Sequence, residues 1–220
     1  MGAARSGVIV LAAAAALAGC SSNLREGVDA LKLVVRGAPK IVPTADGVDS
    51  QPYFQMLARS SEGQAIMVLG GVEGQQLDWY DHLGNGLFIR NGEIVRTVGL
   101  KQNLDNSHWL SANPFEQGLQ HLDAPFSGTR IIDWSPGYRY GIRTDVRLIP
   151  AGMEDVVILG TVHHLRRIDE QVSAPAAGFS AANHYWVDPA DGVVWKSRQA
   201  VAPGITLETV MLRPYRGANP

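Results

Sequence analysis

The sequence predicts a mainly all-β domain: an antiparallel meander, in a strongly curved sheet or partly closed barrel, with a short N-terminal helix. Three observations point there. From residue 52 onward, short apolar runs of strand length recur between Gly, Pro, Asn and Asp. Two of these runs are joined by Asn91-Gly92, a dipeptide that accepts φ > 0 at both positions and so favours a two-residue hairpin turn. Helical stretches do not alternate with the strands, which argues against a parallel doubly wound sheet.

The chain opens with Arg5 as a short basic region and an apolar stretch, Val8 to Ala18. That stretch has signal-peptide length and is short for a membrane span. Small residues then lead to a cysteine in Leu17-Ala18-Gly19-Cys20, and Cys20 is the only cysteine of the chain. The pattern resembles a bacterial lipoprotein signal. The resemblance implies a signal peptide over residues 1–19, cleavage before Cys20, and acylation of its thiol and new amino group. Residues 20–220 are then one lipid-anchored β domain. Several acyl chains anchor durably, because each buried CH₂ contributes about 0.8 kcal/mol and one chain alone binds only marginally. Ser21, in place of the Asp that marks inner-membrane retention in enterobacteria, favours the outer membrane, with the domain facing the periplasm.

Residues 21–38 read as a helix. Asn23 can cap it, Glu26 stands at capping-box spacing, and Leu24, Val28, Leu31, Val34 and Val35 fall near one face. Gly37 and Pro39 end it. Strands are expected over 53–59, 65–72 and 77–81, then in the hairpin around Asn91-Gly92. That hairpin pairs Arg90 with Glu93 and Ile89 with Ile94, which places Leu87, Ile89, Ile94 and Val98 on one face with Arg96 among them. Residues 101–126 break the rhythm, with a short helix around 114–122. Strands resume over 129–134 and 142–148. In the second of these, Ile142, Thr144, Val146 and Leu148 alternate with Arg143, Asp145 and Arg147, the pattern of a half-buried antiparallel strand. A longer strand over 156–166 bends at Gly160, and 171–181 reads as a loop. A second hairpin joins 183–187 to 193–199, and 205–212 is the last strand. The total is about ten strands.

Composition narrows the function. The precursor has 19 Lys+Arg against 21 Asp+Glu, a balance that makes no electrostatic case for nucleic acid. With Cys20 acylated, no thiol remains for a disulfide or a metal. His163 and His164 are neighbours on a strand and so point to opposite faces, which prevents their sharing a metal. Gly70-Gly71-Val72-Glu73-Gly74 lacks the following Gly-Lys-Ser/Thr of a phosphate loop and reads as a turn or bulge. Gly178-Phe179-Ser180-Ala181-Ala182 lacks the second glycine of a nucleophile elbow. Asp188 and Asp191 sit among turn residues. No cofactor, no metal and no catalytic residue is expected.

Trp79, Tyr80, Trp109, Trp134, Tyr185, Trp186 and Trp195 divide between core packing and flat platforms for sugar rings. Arg96, on an apolar hairpin face, needs a partner such as a buried acid, or else holds an anionic glycan. Arg143 and Arg147 form a cationic face, since arginine pairs with anionic sugars. The candidate glycan or partner contacts are therefore Trp79, Tyr80, Arg96, Arg143, Arg147 and Trp186, with Cys20 as the lipidation site.

Trp79-Tyr80, the stretch from Gly86 to Leu100, Asn183-His184-Tyr185-Trp186-Val187-Asp188-Pro189 and Ser197-Arg198-Gln199 resemble the YjbF/GfcB family of capsule and exopolysaccharide lipoproteins. The order of lipoprotein signal, short helix and strands agrees as well. The resemblance implies an outer-membrane lipoprotein with a mostly antiparallel β fold and no established enzymatic residues. It implies a non-enzymatic accessory in capsule or exopolysaccharide assembly or export, whose partners are the polysaccharide or export-machinery proteins. The alternative is a periplasmic carrier of lipid or another hydrophobic ligand, which requires an unfilled apolar cavity.

Overall fold

The computed structural model describes residues 40–217. The expected signal peptide over 1–19, Cys20 and the helix expected over 21–38 lie outside the described residues. A short helix, α1 (Ala45–Asp49), comes first, its N-terminus capped by the Thr44 hydroxyl, which accepts from the Gly47 N–H. The next five strands are β1 (Gln55–Ser60), β2 (Gly63–Glu73), β3 (Gln76–Tyr80), β4 (Gly86–Arg90) and β5 (Glu93–Val98). Then come β6 (Asn103–Trp109), α2 (Pro114–Gln117), β7 (Phe126–Ser135), β8 (Arg139–Ile158) and β9 (Thr161–Ala174). The chain closes with β10 (Phe179–Val187), β11 (Val194–Ala202) and β12 (Ile205–Arg213).

All twelve strands form one antiparallel sheet, in the order β5-β4-β3-β2-β1-β12-β11-β10-β9-β8-β7-β6. The pairing of β1 with β12 joins the two halves of the meander. The sheet edges, β5 and β6, follow one another in the chain and lie side by side without a backbone ladder. The result is a nearly closed barrel, as the turn chemistry predicts, with two more strands than the sequence reading. Residues 103–109 form β6 although their sequence does not alternate, because the inward Ser107 meets a carboxylate rather than a hydrocarbon core. The expected loop over 171–181 is the junction of β9 and β10, interrupted only by a short 3₁₀ turn at Pro175–Ala177. The expected bend at Gly160 is a full hairpin turn, in which Leu159 and Gly160 both have φ > 0.

The hairpin at Asn91-Gly92 has the expected register: Arg90 faces Glu93, Ile89 faces Ile94, and both turn residues have positive φ. Immediately beyond it, Val95 is the extra residue of a bulge, so Phe88 faces Arg96 and Leu87 faces Thr97. The bulge corrects the expected face. Thr97 is buried, while Arg96 and Val98 turn to solvent. Gly70-Gly71 is also a bulge in β2. A side chain at Gly70 would collide with the ring of Tyr80, which lies across it.

Trp79, Trp134 and Met56 are fully buried in the main core. A second cluster closes one end of the barrel, where Phe115 and Leu119 pack on Tyr185, Leu148 and Ile168. Each such buried apolar side chain contributes about 1.5–3 kcal/mol. Arg166 fastens this plug by donating to the Gln120 and Leu122 carbonyls and to Asp123. Past a bulge at Pro150–Gly152, the β8–β9 hairpin extends as an arm over the outside of the sheet. Glu154 on the arm accepts from the Trp186 indole, the His163 ring lies tilted against Trp195, and Leu159 packs near Val48, Leu57 and Leu212.

Candidate functional site

The lumen is crossed by a buried polar network that begins at the seam. Glu93 of β5 accepts from Arg130 at 2.6 Å, Ser107 at 3.1 Å and the Trp109 indole at 2.9 Å. These contacts tie the β5 edge to β6 and β7 where the backbone ladder is missing. Arg130 lies 3.1 Å from Glu170 Oε1, an ion pair by distance that is misaligned for a hydrogen bond. The other Glu170 oxygen accepts from Asn183 at 2.6 Å and the Tyr185 hydroxyl at 2.9 Å. On the far wall, Gln199 accepts from the Ile94 N–H and donates to the Gly92 carbonyl. Two carboxylates thus share one guanidinium. Burial pushes the Glu93 carboxyl above its usual range against the opposing pull of Arg130, and burial together with Glu170 raises the Tyr185 phenol.

This network fills the lumen rather than lining a binding site. Beside it, between Ile94, Phe179 and Gln199, remains a void of about 20 Å³, room for about one water. A larger cavity of about 260 Å³ opens at one barrel end, between the β1–β2 turn, the β3–β4 turn and the end of β5. Its floor is aliphatic, with Ala58, Ala65, Met67, Leu87 and Leu207, and its rim carries Arg59, Glu62, Asp81 and His82. Apolar floors with a few polar groups at the mouth are the usual form of small-ligand pockets.

The six residues chosen as contacts separate. Trp79 is wholly buried and offers no surface, because β3 points it into the barrel. Tyr80 is on the opposite, outer face and sets its ring edge-on to Phe88. Arg96, turned outward by the bulge, rests its guanidinium 5.0 Å above that same Phe88 ring. The buried acid proposed for it exists nearby as Glu93, but Arg130 is its partner. Arg143 and Arg147 share the outer face of β8 with Asp145 between them, Arg143 lying 4.0 Å from Asp145 and donating to Thr129 at 3.2 Å. Trp186 is half-buried on the outer face of β10, with Lys196 and Arg167 at 4.8 and 5.8 Å from its ring centre. Tyr80 and Arg96 are therefore neighbours, and the other three surface residues lie several strands away in the sheet order.

A charged row that the sequence did not reveal crosses the outer face. Asp169, His184, Arg198, Glu208 and Arg59 stand opposite one another from β9 to β1. His184 pairs with Asp169 at 2.7 Å and Arg59 with Glu208 at 3.2 Å. Arg198 has no partner among the described residues. Burial would raise the Asp169 carboxyl, but hydrogen bonds from His184 and Arg167 outweigh it and lower the proton affinity. Strand alternation gives each residue's face, yet only the register from strand to strand, and the pairing of β12 with β1, aligns the row. His163 and His164 fall on opposite faces of the arm, one against Trp195 and the other beside Asp155. Among the described residues, no group of three His, Cys, Asp or Glu side chains is placed to hold a metal ion.

A family model described as "Group 4 capsule polysaccharide lipoprotein gfcB, YjbF" matches residues 28–212. The chain belongs to the YjbF family. It is 30% identical over 201 residues to the uncharacterized lipoprotein GfcB of Escherichia coli K12, covering 90% of this chain and 94% of that protein. It is 27% identical to the uncharacterized lipoprotein YjbF of the same organism, covering 83% and 85% respectively. The crystal structure of the hypothetical lipoprotein YmcC from Escherichia coli K12 superposes with a TM-score of 0.70 at 27% identity, over 78% of this chain and 89% of that one. The YjbF-family barrel and its membership among lipoproteins thus agree with the resemblance carried by Trp79-Tyr80, the Asn91-Gly92 hairpin and Asn183–Pro189.

Proposed function

We propose that this YjbF-family lipoprotein is a non-enzymatic accessory in capsule or exopolysaccharide assembly or export. It is held at the outer membrane by acyl chains on Cys20, with its barrel in the periplasm. Membership in a capsule polysaccharide lipoprotein family carries the proposal. The form of the barrel supports it: the lumen is closed by packed side chains, and charged and aromatic groups are displayed outside. Arg143, Arg147 and Arg198 give that exterior unburied guanidinium groups suited to acidic sugars or to an acidic partner. The test is to delete the gene and measure surface and secreted polysaccharide, then complement with wild type and with Cys20→Ala. Loss on deletion, rescue by wild type and failure of the non-acylated variant are the expected results. Unchanged polysaccharide in a strain without a second copy overturns the proposal. Continued lipid labelling of Cys20→Ala overturns the anchor.

The aliphatic cavity of about 260 Å³ favours a second reading, a carrier of a hydrophobic ligand. Mass spectrometry of organic extracts of the purified protein separates the two. A stoichiometric lipid that is lost on Ala65→Phe, which fills the cavity, supports the carrier. An extract without lipid leaves the accessory role.

A further inference from the structure

The turn between β7 and β8 presents two aromatic rings to solvent. Tyr138 is 90% exposed and Tyr140 is 58% exposed, with ring centres 6.4 Å apart and planes at 73°. Neither hydroxyl has a hydrogen-bond partner among the described residues. Tyr138 also holds φ at +54°, a left-handed conformation that Gly adopts freely and a bulky side chain adopts rarely. The ring lies almost wholly in water, where packing does not offset the strain, and ligand clamps are among the places where such strain gathers.

The turn is nonetheless firmly held. Arg139, between the two tyrosines, points the other way, with its guanidinium 5.4 Å from the Trp134 ring centre and a 2.7 Å bond to Gln102. The Gly141 N–H donates to Asp133 at 2.6 Å. The rings are thus mounted on a preorganised support, which lowers the entropic cost of binding.

We infer that Tyr138 and Tyr140 form a stacking platform for pyranose rings of a polysaccharide, a deepening that rests on the function proposed above. The axial C–H bonds of a pyranose carry partial positive charge and fit the negative face of an aromatic ring. The two free phenols supply hydrogen bonds to ring hydroxyls. The platform stands at the barrel end opposite to where the chain enters β1, and its one cation, Arg139, is already engaged. Both features favour a glycan over a membrane surface.

The experiment uses the full-length acylated protein in detergent and polysaccharide purified from the cells that make it, with dextran as control, by titration calorimetry. Tyr138→Ala with Tyr140→Ala should weaken binding by about tenfold or more while leaving the thermal midpoint unchanged. Tyr138→Gly should weaken binding while holding or raising the midpoint, because Gly relieves the positive φ. No binding by wild type, or equal binding by the variants, overturns the platform. Loss of phosphatidylethanolamine vesicle binding alone in the variants, read on the Cys20→Ala background where no acyl chain holds the protein to the vesicle, also overturns it, in favour of a membrane contact. The gene-deletion measurement is independent: a polysaccharide defect on deletion, with no binding by the pure protein, removes the platform and leaves the export role standing.

Discussion

Gln199 of β11 accepts a hydrogen bond from the Ile94 N–H of β5 at 3.0 Å, although the two strands are not neighbours in the sheet. The same side chain donates to the Gly92 carbonyl at 2.9 Å. One amide therefore supplies the donor and acceptor that a neighbouring strand would have offered to this edge. Unpaired edges invite pairing with other chains unless they are covered, and here the opposite wall of the barrel provides the cover.

Gln199→Leu keeps the volume, strands the Ile94 N–H and the Gly92 carbonyl, and also removes the bonds that Gln199 accepts from Tyr185 at 3.2 Å and donates to Ser197 at 2.9 Å. The expected cost is about 1–3 kcal/mol for each group so stranded. A urea titration reads the stability, and hydrogen exchange at the Ile94 amide should accelerate more than at Met56 in the core. Unchanged exchange at Ile94 would show that the amide is not its cap.

Glu93 sets a pH dependence. Its raised native pKa means that the folded protein holds this proton more tightly than the unfolded chain does. That stabilisation is complete below the unfolded value near 4.5 and is lost as pH rises through the higher native value. Glu154 and Asp169 have lowered proton affinities, so their contributions are lost only at more acidic pH. Glu93 should therefore add stability as pH falls through its raised native value toward 4.5, and Glu93→Gln should flatten that slope. Equal slopes in the two proteins would contradict the assignment.

Gly92→Ala should destabilise by about 1–3 kcal/mol, since the position has φ of +92° and a Cβ there would collide with Val194. Asn91→Gly, at the other turn position, should stay within about 0.5 kcal/mol. Thermal midpoints of the two variants test the contrast, and similar losses at both positions would refute it.

Arg143→Ala with Arg147→Ala removes two exposed side chains from β8 and should leave stability within about 0.5 kcal/mol. In the deletion strain this double variant should restore less polysaccharide than wild type. Full restoration would move the contact away from this face without touching the export role.

The sequence by itself determined the β class, the Asn91-Gly92 turn, the alternation of β8 and the family, because each rests on local backbone preference or on contiguous residues. Its errors lie where local preference carries no signal. The bulge at Val95 reversed Arg96 and Val98, and nothing in the hairpin's composition marks one extra residue. Strand β6 carries no alternating signal because its inward Ser107 answers Glu93 from β5 rather than a hydrocarbon neighbour. Tyr138 is not legible in the sequence because its exposure and positive φ belong to the closed turn. The tertiary structure alone decided which aromatics are buried, which acid Arg130 serves, and how the edges are sealed. Each of these depends on contacts between strands far apart in the chain, brought together only when the meander curls and β1 joins β12.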